Sequence, residues 1–360
     1  IGIEDASGDF SLSAAELNRV ITAGNLTIGQ ATGTGALNIG SLGPVDLTTP
    51  NFNLILRGGS RPVTFNFQAG DTLTLGTNKT FTFNIGAAGD ITSSTTGGVT
   101  DITIGGTTST VTFTSGRAVG SGANPLVINA CRLGTSTFSG AVYLDATSPT
   151  GTFTVNGNVT TNNNPIILNN FSDTLASGFN INAGTSTVHI TAGNINLTAG
   201  TITGNGGITL QPDADATGIA LNDVTGVFSL SATELTARLA STGTVTIGRV
   251  GGTGAINIGF SGALNLSLEG YNLTLRGSAS PVVFNLGAGN SLTLADGKTL
   301  TLGGGGAITS PGLGTNDIVI GGAGVLAITS ATAIGADTGA DGEVDSSWLS
   351  STVPEVSGIA

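Results

Sequence analysis

Apolar residues recur along this chain in alternating triplets. They read LTI at 26–28, LNI at 37–39, VDL at 45–47, LIL at 54–56, VTF at 63–65, LTL at 73–75 and FTF at 81–83. The series continues through ITI at 102–104, VTF at 111–113, LVI at 126–128, VYL at 142–144 and VHI at 188–190 to ITL at 208–210. The outer positions are mostly Leu, Ile, Val or Phe, the middle is usually Thr or Asn, and Gly, Asn, Asp or Pro separates the triplets. A period of two between such breakers predicts short strands with one buried face. Leu54, Leu56, Phe65, Leu73, Leu75, Phe81 and Phe83 are thereby expected in the core.

One stretch occurs twice. From Asn53 the chain reads NLILRGGSRPVTFN and then AGDTLTLGTNKTFTF; from Asn272, 219 residues on, it reads NLTLRGSASPVVFN and then AGNSLTLADGKTLTL. Residues 1–120 resemble 218–335 throughout, and 121–217 have no second copy. Short strands in monotonous succession, each too small to bury a core alone, together with a superrepeat, favour a solenoid over a sandwich or barrel. At about 20–30 residues per coil, about 14–17 parallel coils are expected, forming one continuous β-helix over 1–335 followed by an acidic tail, 336–360. Asn in the middle segment suits left-handed corners between coils.

Two short helices interrupt the strands. Ser13-Ala14-Ala15-Glu16 is a capping box, and Leu17, Val20 and Ile21 follow at helical spacing, which predicts a helix over about 14–20. The second copy repeats it around Ser231-Ala232-Thr233-Glu234-Leu235.

Composition narrows the function. Only 9% of residues are charged, 59 of 360 are Gly, and the net charge is −12. Ten basic residues spread over such a chain make no patch for phosphate backbones or anionic lipid, so nucleic acid and membrane surfaces are excluded as expected partners. No apolar run is long enough for a spanning helix, so membrane insertion is not expected. The absence of Met and of an N-terminal signal pattern leads us to expect a processed product or an internal segment. The single cysteine, Cys131, excludes an intrachain disulfide and reads as a buried thiol. The single histidine, His189, falls at the outward position of its triplet.

Segments such as GNLTIGQATGTGALNIG, GNINLTAGTITGNGGITL and DGKTLTLGGGGAITSPG resemble the repeats of filamentous-haemagglutinin-type exoproteins. These are large bacterial adhesins exported by two-partner secretion or as autotransporter passengers. The resemblance covers most of 20–335. It implies a right-handed parallel β-helix, an extracellular or cell-surface location, and an adhesive or structural role. The secretion-signal domain of that family is not recognisable in the chain.

Candidate chemistry is sparse. Polysaccharide lyases and hydrolases also use β-helices, with clustered acids beside basic residues. Arg57 and Lys79 are 22 residues apart, as are Arg276 and Lys298; with a coil of about 22 residues each pair would stack on one edge and offer a glycan or ionic contact. A solvated or hydrogen-bonded charge at a coil corner is the simpler alternative. Asp71 becomes Asn290 and Asp296 replaces Asn78, so no acid pair recurs in both copies, and no catalytic residue is assigned. The run Asp337, Asp341, Glu343 and Asp345 resembles a calcium loop but lacks oxygen ligands at Gly339 and Trp348, and no metal or cofactor is expected. Two roles therefore lead: an adhesive or structural rod on a bacterial surface, with a cell-surface glycan as one partner, and a self-assembling filament or sheath subunit. In either, open strand edges at the ends are expected to join the chain end to end with itself or with the rest of a longer chain. Ile1 and Ile3 at one end, and Trp348, Leu349 and Val353 at the other, are the residues expected at that contact.

Overall fold

The computed structural model describes residues 1–94, 99–147, 153–171, 173–175, 178–197, 199–310, 317–329, 332–334 and 355–357. The fold is all-β: parallel sheets stack as a β-solenoid of about 11 turns, with two short helices. Every strand ladder among the described residues is parallel, as a sandwich of antiparallel hairpins would not be. The turns are fewer than the triplets suggested because some coils are long. Leu54 pairs with Phe81, 27 residues on, and Ile208 with Val245, 37 residues on. Around 110–190 the repeat is shorter, about 22 residues, as in Val111 with Leu133, Leu133 with Val155 and Ile166 with Val188.

The chain divides into two compact units, Ile1–Ile190 and Thr191–Ala360. In the first, strands Leu37–Ile39, Val63–Phe65 and Ile91–Ser93 stack on one face. Val45–Leu47, Leu73–Leu75, Ile102–Ile104 and Leu126–Asn129 stack on a second. Asn25–Gly29, Asn53–Arg57, Thr80–Asn84 and Thr110–Ser115 stack on a third. In the second unit, Leu264–Leu266, Leu292–Leu294 and Ile318–Ile320 form one face. There the triplets LTL and VVF run together into a single bent strand, Asn272–Phe284, paired with Thr299–Thr309.

Burial follows the alternation. Leu54, Leu56, Phe65, Leu73, Leu75, Phe81 and Phe83 are all buried, and so are Leu273, Leu275, Phe284, Leu292, Leu294, Leu300 and Leu302. In the first unit aromatic rings stack from coil to coil. Phe83 lies 4.8 Å from Phe113 with the rings 4° from parallel, and 4.5 Å from Phe81. The second copy places Leu300 and Leu302 at the positions of Phe81 and Phe83, so the same coil geometry is packed with smaller aliphatic groups.

Corners are set by backbone geometry. Asn78, Asn163, Asn170 and Asn222 adopt positive φ, and Glu4 does so at the position equivalent to Asn222. The Asn side chains also join coils: Thr108 N donates to Asn78 Oδ1 at 3.0 Å and Thr185 N to Asn163 Oδ1 at 3.0 Å. Gly29 and Gly248 have φ of +106° and +107°, and a Cβ there would lie 2.0 and 2.1 Å from the carbonyl oxygens of Arg57 and Arg276. Both positions require glycine, because only a residue without a side chain lets the two strands approach.

Helix α1 spans Ala14–Leu17 and α2 spans Ala232–Ala237; both carry the expected capping box. The first is shorter than its sequence pattern implied. After Leu17 the bonds change to Arg19 N with Glu16 O and Val20 N with Leu17 O, the tighter spacing of a fraying helix end. Leu17 is buried, whereas Ile21 is 98% exposed.

Phe83 contacts rings on its own coil and the next. We expect Phe83→Ala to cost on the order of 3–5 kcal/mol, read as a lowered urea midpoint. Thr82→Ala, at a half-exposed middle position, should move it far less.

Candidate functional site

The four basic residues expected to form a contact edge sit at coil corners, and the register separates each pair. Arg57 lies beside Gly29 on one side and Asn84 on the other, while Lys79 precedes the opposite end of the strand Thr80–Asn84. Stacking of Arg57 on Lys79 required a 22-residue coil, and the coil here takes 27. Lys79 Nζ donates to Asn51 Oδ1, and Lys298 Nζ donates to Gly270 O, the equivalent position in the second copy. Arg276 is half-buried, with Nη2 donating to Gln211 Oε1 at 3.3 Å and to Gly248 O at 3.2 Å. Burial lowers its affinity for a proton below that of a free guanidinium. Arg57 is exposed. Three of the four charges are thus tied to neighbouring coils rather than gathered into a site.

At the chain's end-contact residues the structure is more specific. Ile3 is fully buried: Gly2–Ile3 pairs with Leu37–Ile39 on one side, and Ser11–Leu12 folds over it on the other. It is a core residue, because the chain turns back at Glu4 and lays a further strand outside it. Ile1 is half-buried, and its ammonium donates to Ala36 O at 2.8 Å. Trp348, Leu349 and Val353, and the acidic run 337–345, lie outside the described residues.

Sequence reasoning missed several buried charges. Asp5 and Asp223 occupy equivalent positions. Burial pushes the Asp5 carboxyl up, but hydrogen bonds from Ser7, Ser41 and Asn66 outweigh it and hold the group below the usual carboxylate range. Asp223 is likewise held down, by Thr225, Asn285 and the Phe260 amide; Asn285 Nδ2 donates to it at 2.9 Å and Phe260 N at 3.2 Å. Each aspartate therefore fastens its own turn to the next two coils. Arg61 is buried with Nη1 donating to Ala36 O at 3.3 Å, while its Nε has no partner; Ser280 stands at the corresponding place in the second copy.

Asp101 is the most enclosed ionisable group, accepting from Ser93 Oγ at 2.8 Å and Val127 N at 2.9 Å. Burial raises it to about 6, and the two donors only partly oppose that rise. Its counterpart Asp317 is also raised by burial. Cys131 is buried, with Sγ 2.9 Å from Gly106 O, and Val188 and Ile190 are buried on either side of half-exposed His189.

Three surface depressions lie among the described residues. One of about 480 Å³ is lined by Ser267, Thr293, Leu294, Ala295, Asp296, Val319 and Gly321, with Asp296 its one ionisable side chain. A smaller one holds Glu234 and Arg238, and another, by the N-terminus, holds Asp9. None presents the two carboxylates that glycoside hydrolysis needs. Among the described residues no group of three His, Cys, Asp or Glu side chains is placed to hold a metal. Comparison with known protein families, curated proteins and solved structures finds no match to the chain.

The pKa of Asp101 gives a pH test with a definite sign. A carboxyl raised on folding contributes stability below its unfolded value, and that contribution is lost as pH rises through about 6. Asp101→Asn keeps an acceptor for Val127 N and a donor for Ser93 but cannot ionise. The wild type should therefore lose stability relative to Asp101→Asn between pH 4 and 7.5, by on the order of 2–3 kcal/mol, in parallel urea melts.

Proposed function

We propose that this chain is a non-catalytic, extracellular structural or adhesive segment of a bacterial surface fibre, working as a stacked scaffold. The observation that carries this reading is where its polar side chains go. Lys79, Lys298, Arg276, Asp5 and Asp223 are all occupied in joining one coil to another. The lysine and aspartate ties recur in both copies, and no acid pair does.

A glycan-binding face is supported less well. Sugar recognition uses exposed aromatic platforms, yet most aromatic side chains here are core residues. Tyr271 is buried and donates to Leu235 O at 2.8 Å. Phe10 and Phe260 are the exposed large aromatics among the described residues. The reading of a self-assembling filament subunit draws on one further feature, the unpaired strand edge of the first coil, where Ser11–Leu12 and Asn25–Gly29 are end strands of their sheets.

The experiment is incubation of the purified chain with a panel of plant and bacterial polysaccharides. No reducing ends or unsaturated products should appear, and binding on a glycan array should be unchanged by Lys79→Ala. Turnover abolished by Arg57→Ala or Lys79→Ala would overturn the scaffold reading.

A further inference from the structure

The duplication places one sequence in two environments. Ser11-Leu12-Ser13-Ala14-Ala15-Glu16-Leu17 and Ser229-Leu230-Ser231-Ala232-Thr233-Glu234-Leu235 differ at a single residue, Ala15 against Thr233, and each follows a phenylalanine, Phe10 or Phe228. In the second unit this segment and the strands after it are covered by the coil 191–213. Phe228–Leu230 packs against Ile195–Asn196, and Ser229 N donates to Asn194 Oδ1 at 3.3 Å. Leu197 N donates to Glu234 Oε1 at 2.7 Å. Thr201–Thr203 pairs with Leu239–Ala240, and Gly207–Pro212 pairs with Thr244–Ile247. As a result Phe228, Leu230, Leu239 and Val245 are all buried.

In the first unit the matching residues form an edge. Phe10 is 57% exposed where Phe228 is 0%. Leu12, Val20 and Leu26, the counterparts of Leu230, Leu239 and Val245, are only partly covered, and Ile21 beside them is 98% exposed. Ser11–Leu12 and Asn25–Gly29 each end their sheet. Glu16 makes the same cap bonds to Ser13 that Glu234 makes to Ser231, but no described residue donates to its Oε1.

We propose that the edge formed by Phe10–Leu12, Val20–Ile21 and Asn25–Gly29 is an acceptor for a β-solenoid coil of the 191–213 pattern. The coil adds by parallel pairing along 20–21 and 25–29 and by packing against Phe10–Leu12. An Asn at its position 194 meets Ser11 N, an amide at its position 197 meets Glu16, and Ile at its positions 202 and 208 seats over Val20 and Leu26. The partner is fixed by what the duplicate already holds: the two acceptor surfaces share Phe10–Leu17 with Phe228–Leu235 at all but one residue and keep apolar residues at Val20 and Leu26 where the second copy has Leu239 and Val245, so they select the same cover. Strand addition of this kind draws affinity from main-chain hydrogen bonds and specificity from the alternating side chains. The inference builds on the scaffold reading, since it names the partner of one of its open edges.

The test uses the intact chain and a synthetic peptide of residues 191–213. Amide hydrogen exchange should show new protection at Ser11–Leu12 and Asn25–Gly29. A peptide carrying Ile202→Asp and Ile208→Asp should bind about tenfold or more weakly, as should the wild-type peptide on a Leu26→Asp chain. A free peptide must be ordered as it binds. A second protein, with residues 191–217 fused ahead of Ile1, therefore supplies the coil at high effective concentration. It should show the same protection and a higher melting temperature, both lost with the double Asp substitution. Absence of protection in the fused chain would overturn the proposal. So would head-to-tail association in which a second copy of the chain protects these amides and resists the peptide. Polysaccharide turnover would remove the scaffold reading while leaving the exchange result standing, so the two failures are distinguishable.

Discussion

Everything in this fold depends on backbone pairing between one coil and the next. Apart from Gly2–Ile3 with Ser11–Leu12 and Ile219–Leu221 with Phe228–Leu230, the short strands find their partners on the coils before and after them, which satisfy their N–H and C=O groups. Register between coils is therefore the primary constraint, since a slip of one residue would turn every triplet inside out. The corners hold that register. Asn53 Nδ2 donates to Asn25 Oδ1 while its own Oδ1 accepts from Thr80 N, so one side chain keys three consecutive coils. Gly29 and Gly248 permit an approach to the next strand that any side chain would block.

The two copies show which features follow from that constraint. Asp5 with Asn66, and Asp223 with Asn285, repeat the same tie across about 60 residues of chain. Asp101 and Asp317 repeat the same buried carboxyl. The core is freer: Phe81 and Phe83 become Leu300 and Leu302 with the strands unchanged in register. A core between stacked strands tolerates exchange of apolar volume, whereas a corner bond has one geometry. Among the described residues, Asn53, Asp5 and Asp223 each tie one coil to another.

The triplets and their burial were legible in the sequence because period two maps directly onto inside and outside. The helix starts were legible because a capping box is a local device, although where α1 ends was not, since Asn18 and Arg19 continue in a tighter turn. Coil length was hidden. It is set by loops whose lengths the triplets do not encode, and the separation of Arg57 from Lys79 followed from that. Asp101 and Arg61 carry no local signal of burial, because each is bonded to a neighbouring coil some 25 residues away in sequence. Ile3 was misplaced for the related reason that a strand at the start of a sequence need not be the outermost strand.

Phe10 and Phe228 carry this furthest. Their local sequences are nearly identical, yet one ring stands in solvent and the other is enclosed. Nothing within either segment accounts for the difference; the adjoining coil does. In a stacked solenoid, burial is a property of the pair of coils rather than of the coil, which is the nearest-neighbour form that repeat-protein stability takes. A coil-to-coil contact inside the chain and a contact made at its edge are then the same interaction, with the same ladder and the same apolar alternation. A second copy of any edge elsewhere in such a sequence therefore carries information about a partner, because it displays in its own core the surface that the exposed edge accepts.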